Sequence, residues 1–260
     1  MAMSGSTMTF DRFVRWNISV SDRLSPTIEQ ETHPYPKFDR VVADFINGHD
    51  NLTVVDIGAG RHCDYSNRVI HRPVRMVGVD ISASELALND FLDERIAADA
   101  CAPIPALEGK VDILVSKATM EHLPDNEAFL RNARRLLKPG GTMVLLFTNR
   151  YAPFALINRL LPARLSTFLL AKLAPVWAGQ VGFKTHYDRT NYSAFDRMLK
   201  DVGFSNAEFQ VGYFSSAYFR FFVPAYLISL GFDRLRHALK IKNLGSYYLV
   251  IATADGSPAT

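Results

Sequence analysis

The sequence predicts an α/β fold built on a doubly wound, mostly parallel sheet. Five short apolar runs end in turn residues, and segments with helical spacing of apolar residues separate most of them. Continuous apolar runs of this kind are typical of parallel strands that are buried on both faces. The alternation of strands and helices favours right-handed crossovers, which place a ligand site at the carboxyl ends of the strands.

Each element follows from its own pattern. The apolar runs predict strands at 52–56, 74–80, 95–99, 111–116 and 141–148, with later strands at 204–213 and 246–253. Apolar residues at helical spacing, stopped by glycine or by a Pro-Gly pair, predict helices around 38–46, 129–137 and 192–202. We expect one domain over 1–260.

Three segments stand outside this regular alternation. They are an N-terminal lid or helix at 1–48, a helical insertion at 151–184 that could cover the substrate, and an aromatic insertion at 214–244 before the last strand. The two insertions are rich in apolar residues with basic residues between them. They could line an apolar cavity, form a homodimer contact or touch a membrane as peripheral elements. Their charges and Pro224 disfavour a spanning helix.

Composition limits the class of protein. The chain has 260 residues, of which 48% are hydrophobic and 21% are charged, so it can bury a full core without disulfides or metals. A net charge of +3 with scattered basic residues does not indicate nucleic-acid binding. No His, Cys and Asp cluster has metal-ligand spacing. Two cysteines and the lack of a signal-peptide pattern predict a cytoplasmic protein, which could be peripheral to the membrane.

The first two strand ends carry the strongest signal of a site. Asp56 ends the first strand, and Gly58, Ala59 and Gly60 follow it. Glycines allow a positive φ and a close approach of the backbone to a ligand, and the helix that we expect next offers free N–H groups. Asp80 lies at the tip of the next strand, where a carboxylate can accept both hydroxyls of a ribose or cap a helix.

Two further strand ends could serve the same site. Asp99 and Ala100 follow the third strand, where an acid and a backbone N–H could recognise adenine, although an exposed loop acid would look the same. Ser116 ends the fourth strand and leads into a loop that contains Glu121 and His122. This pair could act as a general base or could only brace the loop.

A second histidine is placed to reach an acceptor. His186 follows the first insertion and precedes the helix expected at 192–202. It could project into the acceptor site as a general base, or it could be an ordinary loop histidine.

The sequence resembles the class I S-adenosylmethionine-dependent methyltransferases, in the broad small-molecule branch similar to methyltransferase type 11. The motifs that carry the resemblance are VVDIGAG (54–60), VGVD (77–80), AADA (97–100), VDILVSKATMEHLPD (111–125) and LLKPGGTMVLLF (136–147). They occur in the order and at the spacing of that family. The resemblance implies S-adenosylmethionine as the cofactor and a seven-stranded sheet whose last strand runs antiparallel between the fifth and the sixth.

The resemblance also implies roles for individual residues. It implies that the cofactor contacts Asp56, Gly58, Ala59, Gly60, Asp80, Ile81, Asp99, Ala100 and Ser116. The methionine end is expected at the glycine turn and near Ser116, the ribose at Asp80, and adenine at Asp99 and Ala100. One position departs from the family pattern, because His62 stands where a third glycine is common. We expect His62 and Arg61 either to crowd the turn or to point outward.

The resulting hypothesis is methyl transfer to an oxygen or nitrogen of a small, hydrophobic or lipid- or glycan-linked acceptor, with His122 and His186 as candidate bases. One alternative is a non-catalytic scaffold with this fold that binds a partner or a membrane. A nicotinamide-dependent dehydrogenase is the other, and the sequence disfavours it because Cys63 stands where that fingerprint has Gly or Ala.

Overall fold

The structure is a computed structural model that describes residues 4–27, 29, 33–70, 75–160 and 184–256. The chain divides into two compact units. The sheet unit comprises Pro34–Arg150, Lys184–Val211 and Tyr247–Thr260. The helical unit comprises Met1–His33, Tyr151–Phe183 and Gly212–Ser246. That 1–260 forms a single domain stays a prediction.

Seven strands form one sheet. They are β1 (Thr53–Ile57), β2 (Arg75–Asp80), β3 (Glu94–Ala97), β4 (Val111–Lys117), β5 (Leu137–Thr148), β6 (Asn206–Gly212) and β7 (Tyr247–Thr253). Their order across the sheet is β3-β2-β1-β4-β5-β7-β6. Neighbouring strands from β3 to β5 pair in parallel, whereas β7 pairs antiparallel with β5. The predicted sheet is confirmed, including the place and direction of its last strand.

Both faces of the sheet are covered, as a doubly wound fold requires. The described α-helices are α1 (Ser4–Leu24), α2 (Pro34–Asn47), α3 (Ala83–Leu86), α4 (Asn126–Leu136), α5 (Pro153–Leu160), α6 (Tyr192–Asp201) and α7 (Val223–Ala238). Val55 and Val77 pack in one apolar cluster with α4 and α6, while their neighbours Val54 and Met76 pack in another with α2. Successive strand residues point to opposite faces, so both clusters draw on the same strands.

The segment after β1 differs from its prediction. We expect a helix directly after the glycine turn, but the chain forms only a five-residue 3₁₀ helix, Asp64–Arg68. Cys63 and Tyr65 point inward there, and both side chains donate hydrogen bonds to Asp56. These contacts hold the segment close to β1. The row of free N–H groups expected from an α-helix is therefore not formed at this point.

A buried ion pair organises the helical unit. Asp233 and Arg236 lie one turn apart on α7 and are almost completely buried. Asp233 accepts the N–H groups of Ser215 and Ser216, each at 2.8 Å. Arg236 donates to the carbonyl of Tyr213 at 2.7 Å. Because a buried ion pair needs such additional partners to offset its desolvation, this network ties α7 to the segment that leads into it.

Side-chain contacts bring the other helices of this unit to the same segment. Asn17 of α1 accepts the N–H of Val223 at 2.9 Å, and Ser21 donates to the carbonyl of Arg220 at 3.2 Å. Phe154 of α5 stacks on Tyr218 with ring centroids 4.1 Å apart. Within the predicted insertion at 151–184, residues 161–183 lie outside the described part of the chain.

We expect Gly78→Ala to lower the free energy of unfolding by about 1–3 kcal/mol, because overpacking a core displaces its neighbours. A Cβ at this position would lie 2.2 Å from Cδ1 of Leu92, which is itself buried. Urea unfolding followed by circular dichroism measures the change. Gly231→Ala is the control, since a Cβ there meets nothing within 4 Å and alanine favours a helix. Equal stability of Gly78→Ala and the unmodified protein would contradict this packing.

Candidate functional site

The turn after β1 requires glycine at its first position. Gly58 has a φ of +76°, and its N–H donates to the carbonyl of Val79 at 2.7 Å. A Cβ on Gly58 would lie 2.2 Å from Oγ1 of Thr119. The positive φ and this close approach together exclude a side chain. The turn is thus held between the end of β2 and the loop that follows β4.

Asp80 joins this turn to the end of β2. One carboxylate oxygen accepts the N–H of Gly60 at 3.1 Å, and the other accepts the N–H of Ser82 at 2.8 Å. An ionised carboxylate has about four acceptor positions, so further positions remain for ligand hydroxyls. Gly60 has a φ of +52°, and a Cβ there would meet nothing within 4 Å. A ligand can therefore approach the backbone beside this carboxylate.

The ends of β2 and β3 lie side by side, which brings the expected adenine contacts next to Asp80. The N–H of Ala98 donates to the carbonyl of Asp80 at 3.0 Å. Ile81 is 71% exposed, Asp99 is exposed, and Ala100 is buried. The exposed side chain of Ile81 is suited to the flat face of a base. Asp80 and Asp99 are suited to the polar groups at the edge of such a ligand.

Asp56 lies in the interior, beneath the turn. Its Oδ2 accepts hydrogen bonds from the hydroxyl of Tyr65 at 2.8 Å and from Sγ of Cys63 at 3.3 Å. Burial raises the pKa of Asp56 to about 6, although these bonds and the positive charge of Lys117 lower it. Burial also raises the pKa of the Cys63 thiol far above its usual value. Asp56 therefore titrates close to neutral pH.

Ser116 and Lys117 at the end of β4 frame the turn. Ser116 is fully buried, and its hydroxyl donates to the carbonyl of Ile57 at 2.7 Å. This bond ties the end of β4 to the end of β1. Lys117 forms ion pairs with Asp39 at 2.8 Å and Asp64 at 2.6 Å. The contact of Ser116 with a cofactor amine stays a prediction, and its hydroxyl proton is engaged within the protein.

The two candidate bases belong to segments that meet. The carbonyl of Glu121 accepts the N–H groups of His186 at 2.8 Å and of Tyr187 at 3.0 Å. Nδ1 of His122 lies 3.2 Å from the carbonyl of Lys184, to which it donates when it carries the proton. The backbone thus joins the loop after β4 to the segment before α6. The catalytic roles of both histidines stay predictions.

The carboxyl group of Glu121 is buried in the same loop. Its Oε2 has no hydrogen-bond partner among the described residues. Burial raises the pKa of Glu121, while His122 and hydrogen bonds from Thr148 act in the opposite direction. A buried carboxyl with an unused acceptor is costly unless a ligand completes its bonding. Glu121, which the sequence already suggested with His122 as a possible general base, is thus a buried carboxyl with one unpartnered oxygen; its catalytic role stays a prediction.

His62, which stands where a third glycine is common, does not crowd the turn, and neither does Arg61. His62 pairs with Asp64 at 2.8 Å, and Arg61 pairs with Glu85 at 2.7 Å. Both side chains are more than half exposed. Of the two expectations for these residues, the outward orientation is confirmed.

Several supporting residues could not be found from the sequence. Asn89 donates to the carbonyls of Ala59 at 3.2 Å and Gly60 at 3.3 Å. Thr119 fills the space beside Gly58, and Tyr65 bonds to Asp56. None of these residues has a distinctive spacing from its partner, because the contacts form only when separate strands and loops come together.

The residues at the ends of β1, β2 and β3 fit S-adenosylmethionine. Asp80 retains acceptor positions for a ribose diol, and the open side of Gly60 lets the backbone approach a ligand. Ile81 offers an apolar surface to a purine ring. These features match the chemical groups of S-adenosylmethionine, which is a nucleoside that carries an amino-acid tail.

Comparison with known proteins identifies relatives of the chain. Residues 20–208 match the family described as the methyltransferase domain. An arsenite methyltransferase of Aquipseudomonas alcaligenes is 32% identical over 127 residues, which cover 43% of this chain and 36% of that protein. A ubiquinone biosynthesis O-methyltransferase of Bradyrhizobium sp. is 35% identical over 128 residues, 46% of this chain and 49% of the relative. The chain thus spans at most about half the length of these relatives.

Solved structures support the same fold. Haemonchus contortus phosphoethanolamine N-methyltransferase 2, solved in complex with S-adenosyl-L-methionine, resembles the chain with a TM-score of 0.50 at 13% identity. The likeness covers 84% of this chain and 52% of that one. At this identity the likeness shows the fold, and the family match extends over most of the chain. The chain therefore belongs to the methyltransferase domain family of class I S-adenosylmethionine-dependent enzymes.

Proposed function

We propose that this chain transfers a methyl group from S-adenosylmethionine to an oxygen or nitrogen of a small hydrophobic acceptor. One observation carries the cofactor part of this proposal. The turn at Gly58 and Gly60 is hydrogen-bonded to Val79 and Asp80, so an open backbone and a carboxylate with spare acceptor positions share one edge of the sheet.

Residues on this edge would hold the cofactor. Asp80 would accept the ribose hydroxyls, Ile81 and Asp99 would contact adenine, and the turn from Gly58 to Gly60 would face the methionine end. When bound, S-adenosylmethionine supplies a methyl group already activated on a sulfonium. The protein therefore needs no strong nucleophile of its own.

The remaining task of the protein is to orient the acceptor and to accept its proton when the acceptor is a hydroxyl. Glu121 is suited to this task because burial raises its pKa and one of its oxygens has no partner among the described residues. His122 and His186 belong to the same pair of segments and are the histidine candidates. A neutral amine acceptor would need less help from a base.

Two features support the proposed acceptor class. The segment 151–184, which follows β5 closely along the chain, is rich in apolar residues, as a cover for a hydrophobic substrate would be. Among the relatives, the O-methyltransferase of ubiquinone biosynthesis supports oxygen as the methylated atom.

Two assays test this function together. We expect calorimetry to show micromolar binding of S-adenosylhomocysteine and no binding of NADH. We expect labelled methyl from S-adenosylmethionine to reach phenols and amines with long apolar tails in preference to their short-chain analogues. Binding of NADH alone would overturn the cofactor assignment, and equal transfer to short-chain analogues would overturn the acceptor class.

Asp80→Ala is expected to weaken binding of S-adenosylhomocysteine by about ten- to a hundredfold, since each hydrogen bond to a charged group contributes about 1.5–3 kcal/mol. Asp80 also orders Gly60, so thermal unfolding of the variant must be compared with that of the unmodified protein. Asp90→Ala, which removes an exposed acid from the same unit, is the matched control. Unchanged affinity in the folded Asp80 variant would remove this residue from the site.

The affinity for S-adenosylhomocysteine is expected to fall as the pH drops below about 6. Asp56 has a pKa raised to about 6, so it is ionised above that pH and neutral below it. If the carboxylate attracts the ammonium group of the ligand, binding at lower pH must first ionise it, which costs about tenfold in affinity per pH unit.

Calorimetry between pH 5 and pH 7.5 measures this dependence. Asp56→Asn should bind more weakly at pH 7.5 and should show a flat profile, because an amide does not titrate in this range. A flat profile in the unmodified protein would show that Asp56 only supports the turn.

A further inference from the structure

Apolar exposure is concentrated in the helical unit. Eighteen large hydrophobic side chains are exposed in the described part of the chain, and fifteen of them belong to this unit. The three in the sheet unit are Ile70, Ile81 and Leu88, and Ile81 adjoins the proposed adenine site. Isolated exposed side chains are ordinary, whereas a concentration in one unit marks an interaction surface.

Helix α7 exposes a row of large apolar residues and buries a mixed face. The buried face carries Tyr226, Ser229, Leu230 and the ion pair of Asp233 with Arg236. The opposite face carries an exposed row made of Leu227, Ile228, Phe232, Leu235 and Leu239. Ile228 is 76% exposed. Ile228, Phe232, Leu235 and Leu239 follow one another at intervals of three and four residues, so they lie on one side of the helix, where a water-facing helix is expected to carry polar residues.

Helix α1 also exposes large aromatic residues. Val14, Asn17 and Ser21 are buried, while Phe10, Phe13 and Trp16 are exposed at intervals of three residues. Trp16 is 62% exposed. Tryptophan and phenylalanine in such a position are typical of helices that lie at the boundary between water and lipid headgroups.

Positive charge borders the α7 row. Residues 212–246 contain five Arg and Lys side chains, and their single acid, Asp233, is neutralised by Arg236 within the interior. Arg234, Lys240 and Lys242 are exposed beside or just beyond the row. Basic residues that flank an exposed apolar row favour contact with an anionic lipid surface. A second copy of the chain would bring the same positive charges to the interface instead of neutralising them.

We propose that the outer row of α7, with Lys240 and Lys242 at its end, docks this protein on membranes that contain anionic lipids. In the described residues no helix has both the length and the apolar character needed to cross a membrane. The helix would therefore lie in the plane of the interface, with its apolar row among the acyl chains and its lysines at the headgroups. This docking is independent of the identity of the methyl acceptor.

Co-sedimentation with vesicles tests the proposal. We expect the protein to bind phosphatidylcholine vesicles that contain phosphatidylglycerol about tenfold more tightly than vesicles of phosphatidylcholine alone. Ile228→Glu/Leu235→Glu should abolish sedimentation with both. Lys240→Glu/Lys242→Glu should remove the preference for phosphatidylglycerol.

Two controls separate docking from misfolding. Leu88→Glu makes the same chemical change at a residue of the sheet unit that is 62% exposed, and it should sediment as the unmodified protein does. Ile228→Ser/Leu235→Ser removes the apolar row without adding charge, and it should also lose binding. Circular dichroism and S-adenosylhomocysteine titration check that each variant is folded, and sedimentation is read whether or not the ligand binds.

Three results would overturn the proposal. The first is unchanged sedimentation of the folded Ile228 and Leu235 variants. The second is equal binding to vesicles with and without phosphatidylglycerol. The third is a dimer that these variants convert to a monomer while the unmodified protein does not sediment with vesicles, because a second copy would then cover the row.

Discussion

The constraint on which the site depends is the meeting of β1 and β2 at one edge of the sheet. Because the two strands are parallel and in register, the chain leaving β1 reaches Val79 and Asp80 at the end of β2. Gly58 donates to Val79 and has a positive φ, and Thr119 occupies the space that a side chain would need. Once this turn is fixed, the N–H of Gly60 reaches the carboxylate of Asp80.

Buried polar groups make this edge rigid and also prepare it for chemistry. Ser116 ties β4 to β1, and Tyr65 with Cys63 holds Asp56 beneath the turn. Such groups are stable in the interior only when they are hydrogen-bonded. Glu121 is the contrasting case, since one of its oxygens has no partner in the described residues and its pKa is raised by burial.

The helical unit buries an ion pair and leaves a row of large apolar side chains exposed. Its interior holds the Asp233–Arg236 pair, whose desolvation is offset by bonds to backbone groups, while the outer row of α7 remains apolar. Water is a poor environment for that row, whereas a lipid interface accepts it. The sheet unit thus carries the features that fit a nucleotide-like cofactor, and the exposed row of the helical unit is the basis of the proposed contact with lipid.

The sequence by itself determined the sheet and the identity of the turn, because apolar runs, glycines and strand-end acids are local signals. Spacing along the chain cannot show which side chains meet across strands. Only the tertiary structure therefore decided that Tyr65 and Cys63 bond to Asp56 in a 3₁₀ helix, where a regular helix is expected. It also decided that α7 turns its apolar row outward, since the face of α7 that is buried depends on partners outside the helix, such as Ser215 and Ser216 for Asp233.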